Sequence, residues 1–397
     1  MTKLNTKNTR LYFIDAIRAW AILMMLQGHF IDGLLDNAFR NDSNLLFGIW
    51  KYFRGITAPV FFTVSGFIFT YLLIKVPEIG WDNPRIKKGI RRGLELLAIG
   101  YLLRLNIFGL FKGEVYSSFY LVDVLHCIGL SILAIIGFYL ITANGKKWLL
   151  PAVLVATTLV LFLFEPWYKS ASFQWLPQWI ANYFTKANGS VFTILPWLGY
   201  ATFGSFTAVL FHKYKYYKYL YPMAIMVCTA FGILLIFYSS DAFWALSRAT
   251  GTSLFADIFY NNYLFIRLGD VLLVFALFML FRSFLTNKTL LRLGQSTLSI
   301  YVIHFVVLYG SFTGLGLYGF FNHSVSPYIA VSGAILFMVL CSYLALRYED
   351  NKISIKKTMR SYFNSARLAL ENGLIYGFGT LRNLSLKLAK LFGLIKN

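Results

Sequence analysis

Long apolar runs alternate with short charged segments along most of the chain. Runs of about 20 apolar residues have the length of a membrane-spanning helix. Ten such runs can be drawn, at approximately residues 11–35, 54–75, 93–111, 119–142, 148–165, 191–211, 219–239, 263–285, 295–316 and 327–347. The pattern therefore predicts an all-α fold, a polytopic helical bundle of about ten transmembrane helices that is integral to a lipid membrane.

The composition changes after Tyr348, where scattered Lys and Arg begin to alternate with Leu, Ile and Phe at helical intervals. This mixture is typical of amphipathic helices that lie on an anionic membrane surface. We therefore predict a transmembrane domain over residues 1–348 and a basic amphipathic tail, cytoplasmic or interfacial, over residues 349–397. Whether the tail contains an eleventh span stays open, because charges interrupt every apolar window there.

Basic residues are concentrated in alternate loops between the predicted spans. The even-numbered loops carry most of them, including Arg85, Lys87, Lys88, Arg91, Arg92, Lys146, Lys147, Lys213, Lys215, Lys218, Arg282, Lys288 and Arg292. Cytoplasmic loops of membrane proteins are enriched in Lys and Arg, so both termini are predicted to be cytoplasmic. The same distribution explains the net charge of +21 without a nucleic-acid partner. The membrane is predicted to be a bacterial inner membrane, since no sorting signal is evident.

The sequence lacks the common signatures of metal and nucleotide sites. Its three cysteines, Cys127, Cys228 and Cys341, each lie within an apolar run and have no metal-ligand spacing. It contains no Walker loop, no GxGxxG after a strand, no GxSxG and no HExxH. We therefore predict no metal and no cofactor bound through those folds.

The first predicted span carries four ionisable residues on one face. Arg18 and His29 are separated by eleven positions, which returns them to within ~20° of the same face about 16 Å apart along the axis. Asp15 lies one turn before Arg18, and Asp32 lies one turn after His29. Ionisable residues inside a membrane are costly and are usually functional. The alternative is that they form buried ion pairs that only hold the bundle together.

The fourth predicted span adds a second pair of this kind, Asp123 and His126, one turn apart. The predicted topology places this pair at the same depth as His29 and Asp32, towards the outer side. A carboxylate beside an imidazole fixes its tautomer and raises its basicity, as a general base requires. His304, in the ninth span, is equally consistent with packing and with function. Arg267 and Asp270, in the eighth span, are predicted to form a structural ion pair, with a place in a cleft wall as the alternative.

Several segments, taken in order, resemble the transmembrane acyltransferase superfamily. The likeness is greatest to bacterial relatives of heparan-α-glucosaminide N-acetyltransferase and weaker to the acyltransferase-three proteins. It rests on the segments IDAIRAWAILMMLQGH, FRGITAPVFFTVSGFIF, VDVLHCIGLSIL, ILPWLGYATFGSFTAVLF and LGQSTLSIYVIHF, within about residues 11–310. The chain departs from the family at Ala19 and Trp20, where a glycine often follows the first-span arginine.

The resemblance implies an enzyme that moves an acyl group, most simply acetyl, from acetyl-CoA or another acyl-CoA to a hydroxyl or amine of a saccharide or glycoconjugate. As a hypothesis, His29 acts as general base on the acceptor or as a transient acyl carrier, and Asp32 or Asp123 orients it. The candidate catalytic residues are therefore His29, Asp32, Asp123 and His126. The candidate donor-binding residues are Asp15, Arg18, Arg91, Arg92 and His304. A transporter or flippase that uses the buried charges as a proton or substrate pathway is the alternative from another class. The choice between N- and O-acylation and the existence of a homo-oligomer stay open.

Overall fold

The computed structural model describes residues 11–391, in which every regular element is a helix. The side chains of residue 374 and of residues 387–391 are not described. The first ten residues and residues 392–397 also lie outside the described residues, so the tail prediction is described only as far as Leu391. The all-α class predicted from the apolar pattern is confirmed for the described part of the chain.

The helices are numbered in chain order. The first eight are α1 (Tyr12–Leu34), α2 (Leu45–Ile74), α3 (Pro84–Arg104), α4 (Ile107–Phe111), α5 (Val124–Thr142), α6 (Leu149–Leu163), α7 (Glu165–Ser170) and α8 (Gln178–Ala181). The remainder are α9 (Ile194–Lys213), α10 (Leu220–Thr250), α11 (Ser253–Tyr260), α12 (Tyr263–Leu280), α13 (Lys288–Gln295), α14 (Thr297–Tyr309), α15 (Leu317–Phe321) and α16 (Pro327–Leu391).

Among the described residues, seven helices are long and apolar enough to cross a membrane. An eighth span results if α13 and α14, bent by 71° where they meet, are counted together. Two further predicted spans are helical but do not meet these criteria. The span predicted at 93–111 covers the second half of α3, a helix with several basic residues, and the short helix α4. The span predicted at 148–165 coincides with α6, an apolar helix of 15 residues. The count of ten therefore stays a prediction.

The segment 240–262, predicted as a long loop, is largely helical. Helix α10 continues to Thr250, and α11 follows after a short break. The break coincides with Gly251, whose φ of 67° lies in the left-handed region. Glycine adopts this conformation without the steric cost of a Cβ atom and commonly ends helices. Helix α11 buries Leu254 and Ile258, which lie one turn apart on the same face.

The described residues divide into two compact units, one ending at Leu344 and the other beginning at Ala345. The core of the first unit contains side chains from α1, α2, α9 and α12. Within it, α2 and α9 approach closely at Gly66 and Gly204. A Cβ atom on Gly66 would lie 1.9 Å from the carbonyl oxygen of Ala201, and one on Gly204 would lie 1.8 Å from that of Thr63. Small residues of this kind allow the backbones of membrane helices to pack against each other. The second unit is helical throughout its described residues.

Candidate functional site

The polar face of α1 is directed along its length towards α13 and α14. At the N-terminal end of α1 the approach is close, because Gly294 lies directly on the backbone of Asp15. A Cβ atom on Gly294 would lie 1.9 Å from the Asp15 carbonyl oxygen. Towards the C-terminal end of α1, His29 contacts the side chains of His304 and Tyr309 of α14. The predicted stripe thus contacts α13 and α14 at Asp15, Arg18 and His29, whereas its last residue, Asp32, pairs with other segments.

Arg18 occupies the end of the stripe nearer the N-terminus. Its guanidinium donates a hydrogen bond to the Thr297 hydroxyl at 3.1 Å and lies 3.7 Å from the Asp15 carboxylate. The side-chain amide of Gln295 donates to the same carboxylate at 3.5 Å. Arg92 of α3 is close enough to interact electrostatically with Arg18. Arg92 is itself paired with Glu95 of α3, so this end of α1 combines two cations with two carboxylates.

His29 occupies the other end of the stripe, among residues of α14. Its Nδ1 atom lies 2.9 Å from the phenolic oxygen of Tyr309. The imidazole of His304 packs edge-on against the His29 ring with centroids 5.3 Å apart, and Tyr301 lies 4.8 Å beyond it. His304 is fully buried. Two imidazoles and two phenols thus meet at one place.

His29 and Arg18 are both partly accessible. The Arg18 side chain keeps 22% of its surface exposed, and His29 is half-buried. Both make polar contacts to the same neighbouring segment, so neither projects only towards lipid. An imidazole that is partly open can exchange a proton with a bound molecule, whereas a sealed one cannot. The contacts are therefore compatible with chemistry at His29.

Asp32 forms ion pairs with arginines rather than with His29. Its two carboxylate oxygens lie 2.7 Å from Arg40 and 2.6 Å from Arg54. Arg40 also donates to the Asp32 carbonyl and lies 3.2 Å from Nδ1 of His323. The loop after α1 brings Arg40 back over the helix end, which sequence spacing does not reveal. The aspartate predicted to orient His29 is therefore engaged by cations.

Asp123 and His126 form a capping box at the start of α5. The Asp123 carboxylate accepts from the backbone N–H of Leu125 at 3.3 Å, and the backbone N–H of Asp123 donates to Nδ1 of His126 at 3.3 Å. Arg104 donates to the other carboxylate oxygen at 3.0 Å. The His126 ring is fully buried against Gly100, where a Cβ atom would lie within 2.6 Å of it. The arrangement serves helix capping, and Nε2 of His126 still has no partner.

The two predicted His/Asp pairs belong to one electrostatic environment. The Asp123 charge is close enough to act on both His29 and His304, and the Arg54 charge also acts on His29. The Asp123 carboxylate on α5 therefore acts electrostatically on His29 of α1, and His304 of α14 packs against the His29 ring.

The predicted donor-binding arginines of α3 are more exposed. Arg91 donates to Glu95 at 2.8 Å, and Arg92 lies 3.9 Å from the same carboxylate. The pair predicted in α12 is present, with Arg267 and Asp270 2.8 Å apart. Within residues 11–391, no group of three His, Cys, Asp or Glu side chains is arranged to hold a metal ion.

Sequence reasoning missed Tyr309, Thr297 and Arg104. Tyr309 is one of 26 tyrosines in the chain, and nothing in its local pattern marks it as a partner of His29. Arg104 ends α3, inside the span predicted at 93–111, and no nearby acidic residue in the sequence marks it as the partner of Asp123. For Thr297 the available signal was its place two residues after Gln295, in a polar break within an otherwise apolar run.

The sequence model of one protein family matches residues 10–247, more than half of the chain. That family is described as heparan-alpha-glucosaminide N-acetyltransferase, catalytic. The chain belongs to this family. Its members are acetyltransferases, and the family description implies an acetyltransferase acting on saccharides. No curated protein matches the chain significantly.

The match to the heparan-alpha-glucosaminide N-acetyltransferase family covers α1 to most of α10. It therefore includes both predicted His/Asp pairs, His29 with Asp32 and Asp123 with His126. It does not extend to α14, which supplies His304 and Tyr309 to the same cluster. The family resemblance seen in the sequence motifs is confirmed. On α14, His304 was a candidate from the sequence, and Tyr309 is identified by the structure alone.

Proposed function

We propose that the protein transfers an acetyl group from acetyl-CoA to a hydroxyl or amine of a saccharide or glycoconjugate, with His29 as the general base. The observation that carries the proposal is the His29 imidazole, partly accessible and 2.9 Å from the Tyr309 hydroxyl, in a chain of this acetyltransferase family. Imidazole is suited to removing a proton from an acceptor near neutral pH.

Tyr309 is proposed to select the tautomer of His29. If Nδ1 carries the proton and donates it to the Tyr309 oxygen, Nε2 keeps its lone pair. That lone pair is then available to take the proton that the acceptor hydroxyl or amine loses. A histidine in an active site commonly has one nitrogen held by a hydrogen bond so that the other performs the chemistry. Tyr309 would act as a positioning residue in this scheme.

The surrounding groups are proposed to support the charge that forms on His29. The Asp32 and Asp123 carboxylates favour the imidazolium form of His29, and the Arg54 charge opposes it. His126 holds Asp123 through the capping box, and Asp32 holds Arg40 and Arg54 beside the site. Buried His304 packs edge-on against the His29 ring and is proposed to hold that ring in place.

The donor is proposed to bind towards the Arg18 end of the stripe. Acetyl-CoA supplies its acetyl group as a thioester, and its phosphates require cations. Arg18 and Arg92 lie near each other at this end, with Asp15 positioning Arg18 and Arg91 nearby on α3. The alternation of basic loops supports a cytoplasmic location for this end and for both termini, in a bacterial inner membrane.

The proposal is tested with the full chain, purified and reconstituted into vesicles. Radiolabelled acetyl-CoA is offered with a panel of amino sugars, neutral sugars and glycoconjugates, and products are separated by chromatography. We expect label in at least one saccharide and none when the protein is omitted. Saccharide that crosses the vesicle membrane without becoming labelled would contradict the proposal and support a transporter.

A further inference from the structure

A lateral groove lies between α1, α2 and α12, on the face of α1 opposite His29. It has a volume of about 470 Å³ and an almost entirely apolar lining, which includes Trp20 and Met24 of α1. Leu277 of α12 lines it and is 51% exposed, so the groove is open at the side. All three helices are candidate membrane spans. A side opening between membrane-spanning helices faces lipid chains rather than water.

One end of the groove is polar. Trp50 of α2 and Gln27 of α1 both line it, and the Trp50 indole N–H donates to the Gln27 amide oxygen at 2.7 Å. The guanidinium of Arg54 lies 5.7 Å from the centre of the Trp50 ring. Tryptophan prefers the headgroup level of a membrane, where its ring is in an apolar region and its N–H reaches polar groups. The polar end is therefore expected at the headgroup level.

The Arg54 side chain contributes a net positive charge near the polar end of the groove. It shares the Asp32 carboxylate with Arg40, so two cations are balanced by one anion. The Arg54 side chain keeps 40% of its surface exposed. Its stem crosses α1 at Gly28, where a Cβ atom would lie 3.5 Å from Arg54 Cγ. The guanidinium thus has free surface for an anionic group beside the groove.

The apolar part of the groove extends inward from that charge. Gln27 at the polar end and Trp20 at the inner end are seven residues apart on α1, which corresponds to a rise of about 10 Å. An apolar slot with an exposed arginine next to its polar end, beside Trp50, matches a hydrocarbon chain joined to an anionic headgroup. The phosphates of an acyl-CoA do not match it, because the whole pantetheine arm separates them from the acyl chain.

We propose that this groove is a binding site for an anionic phospholipid of the bilayer. One acyl chain lies along Trp20, Met24 and Leu277, and the phosphate contacts Arg54. Arginine binds phosphate through charge-assisted hydrogen bonds that are stronger than neutral ones. Because Arg54 also holds Asp32 and acts on His29, a lipid at this site contacts the surroundings of the candidate catalytic histidine.

The test measures retained lipid by native mass spectrometry. The full chain is reconstituted into vesicles of equal parts phosphatidylglycerol and phosphatidylcholine and extracted in a mild detergent. Arg54→Gln removes the charge, and Leu277→Trp fills the groove. The matched controls are Lys51→Gln, which removes an exposed cation of α2 paired with Asp42, and Leu280→Trp, which enlarges an exposed residue of α12 outside the groove.

We expect the wild type to retain one phosphatidylglycerol in preference to phosphatidylcholine. Arg54→Gln and Leu277→Trp should each reduce retention about tenfold, as loss of one charge-assisted contact or of chain burial would. Both controls should retain lipid as the wild type does. Equal retention in all five proteins, no preference for phosphatidylglycerol, or a polyprenyl phosphate or second copy of the chain occupying the groove would each overturn the proposal.

Discussion

The Nδ1 atom of His29 and the hydroxyl of Tyr309 are 2.9 Å apart although the two residues are separated by 280 positions in the chain. Tyr309→Phe keeps the ring and removes only this contact. We expect kcat for acetyl transfer to fall about tenfold, the loss associated with one hydrogen bond of ~1.4 kcal/mol. The KM for acetyl-CoA should change little, because Tyr309 lies away from the Arg18 end. Steady-state kinetics with labelled acetyl-CoA measures both constants.

The control for this variant is Tyr318→Phe. The Tyr318 ring lies 5.7 Å from that of Tyr309, so the substitution removes a hydroxyl from the same aromatic group without touching His29. Full activity in Tyr309→Phe, or an equal loss in both variants, would exclude a specific positioning role for Tyr309.

Arg18 is predicted to act on donor binding more than on chemistry. Arg18→Gln removes a cation that contacts Thr297 and Asp15. We expect the KM for acetyl-CoA to rise about tenfold with a smaller change in kcat, as for a residue that contributes to binding. Lys215→Gln, which removes a cation from the exposed loop after α9, is the control and should leave KM unchanged. A fall in kcat alone would contradict the assignment.

The Arg104–Asp123 ion pair is predicted to be important for stability. Its side chains are 16% and 8% exposed, so Arg104→Gln leaves a buried carboxylate without its cation. We expect the free energy of unfolding, measured by denaturant titration in micelles, to decrease by about 3 kcal/mol. In the exposed Lys51–Asp42 pair, Lys51→Gln should cost less than about 1 kcal/mol. Similar losses in the two variants would show that burial does not distinguish the pairs.

Gly100 is predicted to be required for the position of His126. In Gly100→Ala the added methyl group would lie 2.6 Å from the imidazole, which must move and break the capping box. We expect a loss of about 1–3 kcal/mol in unfolding free energy, as for overpacking of a filled core. Gly137→Ala in α5 is the control, because nothing lies within 4 Å of its added Cβ. There alanine should preserve or raise stability, and a loss equal to that of Gly100→Ala would contradict the account.

The sequence predicted those features that depend on helical periodicity and hydropathy. The alignment of Arg18 with His29 follows from residue spacing within one helix, and the structure directs that face towards α13 and α14. The partners on α14 could not be predicted, because contacts between distant segments are not encoded in local spacing. The bend between α13 and α14 places Thr297 beside Arg18 and Tyr309 beside His29, and only the structure shows these contacts.

The pairing of Asp32 shows a second limit of sequence reasoning. Its position one turn after His29 suggested a carboxylate that orients the imidazole. Helical spacing cannot predict contacts made by other segments. The loop between α1 and α2 brings Arg40 back to the end of α1, and α2 supplies Arg54. Both guanidinium groups reach the Asp32 carboxylate, and a cation attracts this carboxylate more strongly than an uncharged imidazole does.

His29 is proposed to be the general base of acetyl transfer, and the His29→Ala variant tests this role. The variant and the wild type are reconstituted in equal amounts, and their melting temperatures are compared to show that the variant is folded. Both are then given labelled acetyl-CoA with the accepted saccharide. His212→Ala, at the end of α9, controls for loss of a histidine. The account predicts that His29→Ala loses at least about 10²-fold in rate while His212→Ala retains it. Transfer at the wild-type rate by correctly folded His29→Ala would contradict the claim.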